Sequence, residues 1–112
     1  MCLFCKIVKG DVPAKVVLDT ERVLAFHDIH PAAPQHVLVI PKEHIVSIHE
    51  ATGAHAAMLG ELMLAGREVA EKLGLAESGY RLVLNTGKDG GQTVFHLHVH
   101  VLGGRAMAWP PG

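Results

Sequence analysis

Nowhere does this chain offer the ~18 consecutive apolar residues that a helical membrane span needs, so an integral helical membrane protein is excluded. Charge of one sign is also missing. With 10 Lys+Arg against 11 Asp+Glu the net charge is -1, so no basic field exists to gather nucleic acid or an anionic membrane surface. Cysteine is down to Cys2 and Cys5, too few and too close together to staple a fold. The opening residues reach Lys6 without an apolar h-region, so no secretory leader is expected and the chain is placed in the cytoplasm. Repeats, charge blocks and low-complexity tracts are absent. A chain of 112 residues, 49% hydrophobic, suits one domain over 1–112, with an arm at 103–112 that ends Trp109-Pro110-Pro111-Gly112.

What the chain does have is histidine, nine in all, and their placement matters more than their number. The hydrophobic pattern places them. Strands are expected at 15–18, 23–28, 36–40, 80–85 and 95–102, punctuated by Gly10-Asp11, Pro13, the polar Asp19-Thr20-Glu21-Arg22 turn, the rigid His30-Pro31-Ala32-Ala33-Pro34 loop and Pro41. From Gly53 to Leu73 the period changes: Leu59, Leu62, Gly66, Val69 and Leu73 recur every three or four residues, the stripe of an amphipathic helix, with Gly74 as its stop. Short links between strands disfavour a parallel sheet, and the expected class is α+β with an antiparallel sheet.

In His96-Leu97-His98-Val99-His100 the side chains of a strand alternate, so three imidazoles share one face while Leu97, Val99 and Val101 share the core face. Such a row can be a solvated face on which histidine recurs. It can be a three-histidine metal site, although ligands in one straight row splay apart. Or it can do nucleophilic catalysis, with a neutral imidazole attacking phosphorus and its neighbours stabilising charge or delivering protons. The last reading needs donors for phosphoryl oxygens, a proton source and an apolar slot. Gly90-Gly91-Gln92-Thr93, just upstream, offers permissive backbone, an amide and a hydroxyl; taken alone it would read as a hairpin turn on Asp89-Gly90.

The alternating motif His96-Leu97-His98-Val99-His100-Val101-Leu102 resembles that of the histidine-triad (HIT) family. Segments Asp11–Lys15, Ala25–Ile29, His36–Lys42, Gly90–Gln92 and the Trp109–Gly112 end are similar to its Hint branch, the nucleoside phosphoramidases. The resemblance implies a five-stranded antiparallel sheet with one long and one short helix, pairing across a two-fold axis into a homodimer with a ten-stranded sheet. It implies His98 as nucleophile on AMP-linked or GMP-linked amines and related mixed anhydrides, with His36, His96 and His100 as supporting imidazoles and Thr93 as a hydroxyl where the branch often has serine. A purine nucleotide would then be held by Asp28 on the ribose hydroxyls, by Asn85, Gly91, Gln92, Thr93 and Val94 near the phosphate, and by Leu3, Phe4, Ile7, Phe26, His27, Ile29 and Leu38 around the base. Singly, Phe26, Ile29 and Leu38 read as core, Asp28 as a turn cap and His36 as structural. His27, His30, His49 and His55 read as surface residues.

Cys2-Leu3-Phe4-Cys5 departs from many members of that branch. It is similar to the metal-binding pair of some bacterial HIT proteins, which implies structural zinc on Cys2, Cys5, His44 and His96 and no metal in the chemical step. Free thiols and a redox pair are the alternatives. Two further functional readings stay open beside the phosphoramidase: a dinucleoside polyphosphate hydrolase using the same nucleophile, and a nucleotide-binding scaffold whose turnover is incidental.

Overall fold

Short apolar runs, separated by Pro, Gly and polar turns, build the sheet seen in the computed structural model, which describes residues 2–112. Strands β1 (Val16–Asp19), β2 (Val23–His27), β3 (Gln35–Pro41), β4 (Tyr80–Val83) and β5 (Val99–Gly103) form one sheet in the order β1-β2-β3-β5-β4, antiparallel throughout. Thr20 closes the first hairpin: its N–H donates to the Val23 carbonyl at 2.9 Å, and its hydroxyl accepts from the Val23 N–H at 3.0 Å.

Two helices cover opposite faces. Helix α2 (Ala56–Lys72) follows a 3-10 turn at Gly53–His55 and buries Met58, Leu62, Ala65, Gly66, Val69 and Ala70; of the stripe expected from the sequence, Leu62, Gly66 and Val69 are buried, while Leu59 and Leu73 are partly buried at its margin. These residues pack on Val23, Ala25, Val37, Val39, Leu97, Val99 and Val101. Gly66 lets the helix approach the sheet; a Cβ there would stand 3.3 Å from a Leu82 methyl. The stop lies at Gly74, whose φ of 73° suits glycine.

Helix α1 (Leu3–Lys9) is only seven residues long and carries no legible period. It is nucleated by its ends: the Cys2 Sγ accepts from the Cys5 N–H at 3.2 Å, and Gly10 closes the last turn in the left-handed region. Its buried Phe4 caps a second, smaller core of Leu24, Phe26, Leu38 and Ile40 on the other face of the sheet. No helix among the described residues is long and apolar enough to cross a membrane.

One expected strand is corrected. Residues 95–98 do not belong to β5, which begins at Val99. Val99 faces Val39, so Leu97 falls opposite Pro41, which has no N–H to offer the Leu97 carbonyl and whose own carbonyl is taken by His96 Nε2; the Leu97 N–H donates to the Ile45 carbonyl at 2.6 Å. The alternation survives. Leu97 and Val99 still enter the α2 core, while His96 and His98 still face Phe4.

Candidate active site and metal site

Phe4 is the pivot on which the histidine row is arranged. Its ring meets His96 edge-on at 5.9 Å, His98 at 5.3 Å and Phe26 at 5.5 Å between centroids. The His98 and His100 rings stand 4.9 Å apart, and His36, diagonal to His100 across β3 and β5, lies 5.1 Å from it. Three of the four expected phosphate-site imidazoles, His36, His98 and His100, therefore form one cluster. His96 faces away from it, toward Cys2, Cys5 and His44.

Backbone partners decide where each imidazole proton sits. The Ala32 N–H can only donate, so His36 Nδ1 accepts it at 3.0 Å and Nε2 carries the proton. That Nε2–H reaches His100 Nδ1 at 2.8 Å, which leaves the His100 proton on its own Nε2. The carbonyl of His96 can only accept, so His98 Nδ1–H donates to it at 2.7 Å and the Nε2 lone pair is left free. The carbonyl of Pro41 likewise takes the Nε2–H of His96 at 2.8 Å, which frees the His96 Nδ1 lone pair.

His36, His96 and His100 are held neutral. Burial, then the neighbouring His98 and His36, push His100 down to about 4, and burial lowers His36 against the opposing pull of Asp28. Burial also lowers His96. Each takes up a proton more readily in the unfolded chain, so stability falls as pH drops from the usual imidazole range toward 4. Between pH 7 and pH 5 the wild type is expected to lose about 1 kcal/mol more than a His100→Asn variant, after allowing for partial solvent screening. Urea unfolding at the two pH values measures it; equal losses in the two proteins would remove His100 from the account.

Asp28, His36 and His100 offer donor atoms close enough to share a cation. The proton assignment argues against one, because the Nε2 of His36 that faces the cluster already carries hydrogen. The second group, Cys2, Cys5, His44 and His96, is different. Both Sγ atoms lie 3.4–3.6 Å from the two Nδ1 atoms, which are 3.1 Å from one another. A tetrahedral zinc with bonds of about 2.3 Å to sulfur and about 2.0 Å to nitrogen sets N···S edges near ~3.5 Å and N···N edges near ~3.3 Å. The residues fit that ion, and the His96 lone pair already points into the group. The Cys5 thiol is pushed up by burial and by Cys2 beside it.

Next to the row lies a cleft of about 360 Å³ whose walls include Leu3, Phe4, Ile7, Phe26, His27, Asp28, Ile29, Leu38, Thr93 and Val94, all of them candidates from the sequence. Ile29 is 85% exposed and so is not core; Phe4, Phe26 and Leu38 are both core and floor. Val12, Pro13, Ala14 and His30 complete the cleft and were not among the candidates. Asp28 does two things at once: Oδ1 accepts the His30 N–H at 2.8 Å as a turn cap, and Oδ2 stands 3.5 Å from His36 Nε2.

Gln92 departs from expectation. Its amide is buried, accepting from the Gly87 N–H and donating to the carbonyls of Val46 and Val94, so both of its hydrogens are already committed. It stitches the loop rather than offering donors to a phosphate. Gly91, at φ 84°, is exposed with Thr93 on that loop, and Asn85 is half-buried beyond the end of β4. Among the other histidines, His30 and His49 are exposed, while His55 accepts the Thr52 N–H in a capping box. Sequence reasoning missed the backbone groups of Ala32, Pro41 and His96 that set the tautomers; the only signal was the proline pair flanking Ala32-Ala33.

The HIT domain model matches residues 9–107. A HIT-like protein of Synechococcus elongatus is 53% identical over 110 residues, covering 98% of this chain and 96% of that one. A 14 kDa zinc-binding protein of Zea mays is 48% identical, covering 98% and 87%. Among solved structures, a HIT family hydrolase from Legionella pneumophila superposes with a TM-score of 0.98 at 48% identity, with all of both chains covered. A histidine triad nucleotide-binding protein from Candida albicans gives 0.84 at 31% identity, covering 98% and 83%.

Proposed function

The chain belongs to the HIT domain family, and from that premise we propose that it is a nucleoside phosphoramidase: a hydrolase that cleaves purine nucleoside monophosphates from amines through a nucleotidyl-histidine. The observation that carries the reading is the proton arrangement of the cluster. His98 has a free Nε2 lone pair and His100 an Nε2–H; the rings are side by side, His98 against Phe4 and His100 paired across the sheet with Leu38, two residues that line the apolar cleft. One imidazole is a nucleophile without needing a base; the other is a donor for a phosphoryl oxygen.

In the proposed reaction the base lies in the cleft against Phe26, Leu38, Ile7 and Ile29, with the ribose hydroxyls on Asp28. His98 Nε2 attacks phosphorus and the P–N bond breaks. The departing amine takes a proton from the hydroxyl of Thr93, which lines the cleft; water then attacks the nucleotidyl-histidine as it gives a proton back to Thr93, which releases the nucleotide and restores both Thr93 and His98. Neutral His100 donates to a non-bridging oxygen throughout. Cys2, Cys5, His44 and His96 would hold zinc, whose part is to tie α1 to the sheet. The names of the Legionella and Candida proteins, a hydrolase and a nucleotide binder, support the coarser part of this reading, and that of the maize protein supports the metal.

A substrate panel tests it. A fluorogenic adenosine phosphoramidate is expected to turn over at least about tenfold faster, in kcat/KM, than a diadenosine polyphosphate. The reverse order would make the protein a dinucleoside polyphosphate hydrolase, and tight AMP binding with no turnover would make it a scaffold.

Pairing of two copies belongs to the same proposal. Strand β4 is one of the sheet's two edges, β1 being the other, with one row of backbone donors and acceptors unpaired by the sheet, and Tyr80 on it is exposed. Two such edges joined across a two-fold axis make ten strands. Sedimentation at micromolar concentration is expected to give a dimer; a monomer would end this part.

A further inference from the structure

The tautomers of His36 and, through it, His100 are set by one backbone N–H, that of Ala32, and Ala32 sits in a loop rather than in the sheet. The base of this loop is tied: the Asp28 N–H donates to the His36 carbonyl at 3.0 Å, and the His30 N–H to Asp28. Its far side, from Pro31 to Pro34, is held by the start of the C-terminal arm. Gly104 leaves β5 at φ 91° and passes so near that a Cβ would stand 2.8 Å from the Cβ of Pro34. The next residue, Arg105, donates from Nη2 to the Ala32 carbonyl at 3.0 Å, while its Nη1 faces the Ala106 carbonyl at 3.1 Å and the Met107 sulfur at 3.4 Å, both on its own arm.

We infer that Arg105 is a positioning residue for the imidazole cluster: by holding the Ala32 carbonyl it presents the Ala32 N–H to His36 Nδ1, and so fixes the proton of His36 on Nε2 and that of His100 on its outward nitrogen. The path is continuous, from the Arg105 guanidinium to the Ala32 carbonyl, across the Ala32 Cα to its N–H, and on through His36 to His100, and the three hydrogen bonds along it are 3.0 Å or less. Without the guanidinium the loop tip keeps only the packing of Gly104 on Pro34. His36 Nδ1 then loses its fixed donor part of the time. Its ring can carry the proton on either nitrogen, and whenever Nε2 is bare it no longer donates to His100. The arm, whose Trp109 is 82% exposed, is in this way coupled to the centre of the site.

The test reads imidazole nitrogens as well as turnover. In uniformly 15N-labelled protein, two-bond proton–nitrogen spectra are expected to show His36 wholly in the Nε2–H form. In Arg105→Ala the two His36 nitrogen shifts should move toward one another as the tautomers mix, and kcat on the adenosine phosphoramidate should fall about fivefold with KM within about twofold. Arg105→Lys, which can still donate one hydrogen bond to the carbonyl, should recover more than half of both changes. Arg105→Met keeps an unbranched aliphatic stem without a hydrogen-bond donor and supplies the comparison if Arg105→Ala does not fold. Unmoved His36 shifts in a folded variant would overturn the inference, whatever the rate does. The kinetic half rests on the phosphoramidase reading and the nitrogen shifts do not, so failure of one is distinguishable from failure of the other.

Discussion

Replacing His98 by asparagine is expected to cut turnover of an adenosine phosphoramidate by at least about a thousandfold while leaving the fold and the nucleotide affinity nearly unchanged. Asparagine is the informative substitution because its amide N–H can still donate to the His96 carbonyl, as His98 Nδ1 does now. What it lacks is a nucleophilic nitrogen at the other end. The arrangement also distinguishes His98 from its neighbours. His96 spends Nε2 on Pro41 and points Nδ1 at two sulfurs, and His100 carries its free-side proton where an attacking lone pair would be needed. Substituting His100 should therefore cost transition-state stabilisation, about ten- to a hundredfold in kcat, and not abolish the reaction. Stopped-flow and steady-state rates on the three proteins decide the matter. A His98→Asn variant that turns over at the wild-type rate would leave the proposed chemistry without its attacking atom.

Much of this site is legible in the amino-acid sequence. Period two in His96–Val101 assigns the two faces correctly, because the faces depend only on which side chains are apolar, and Leu97, Val99 and Val101 are buried as that pattern demands. Period three-and-four marks α2 and its buried stripe for the same reason. What fails needs knowledge of a neighbour. The early end of β5 is caused by Pro41, 58 residues away from Val99 in sequence and adjacent only through the β3 register. Gln92 reads as a phosphate donor, yet the carbonyls of Val46 and Val94 use its hydrogens. The tautomers are out of reach of sequence because they are set by main-chain groups, which every residue carries and no residue type announces. Ile29 illustrates the converse: its composition says core, yet it stands at 85% exposure on a cleft wall.

Removal of the metal is the second large effect. Purified without chelator, the protein is expected to carry zinc in a one-to-one ratio, and Cys5→Ser, His44→Ala or chelator stripping should lower Tm by roughly 10–20 °C. The size follows from what the four donors join. Cys2 and Cys5 sit at the first turn of α1, His44 lies beyond β3, and His96 lies just ahead of β5, so one ion spans segments 39 to 94 residues apart. Helix α1 is too short to persist alone and buries only Phe4. Loss of the ion should therefore free Phe4 from the edges of His96 and His98. The damage would extend to catalysis without the metal touching substrate, because the carbonyl that orients His98 belongs to the ligand His96. A stripped protein should thus lose kcat about tenfold at temperatures where it is still folded, and regain it on adding zinc. Elemental analysis with far less than stoichiometric zinc, together with a Tm unmoved by chelation, would make Cys2 and Cys5 ordinary thiols and leave α1 held by the packing of Phe4, Ile7 and Val8.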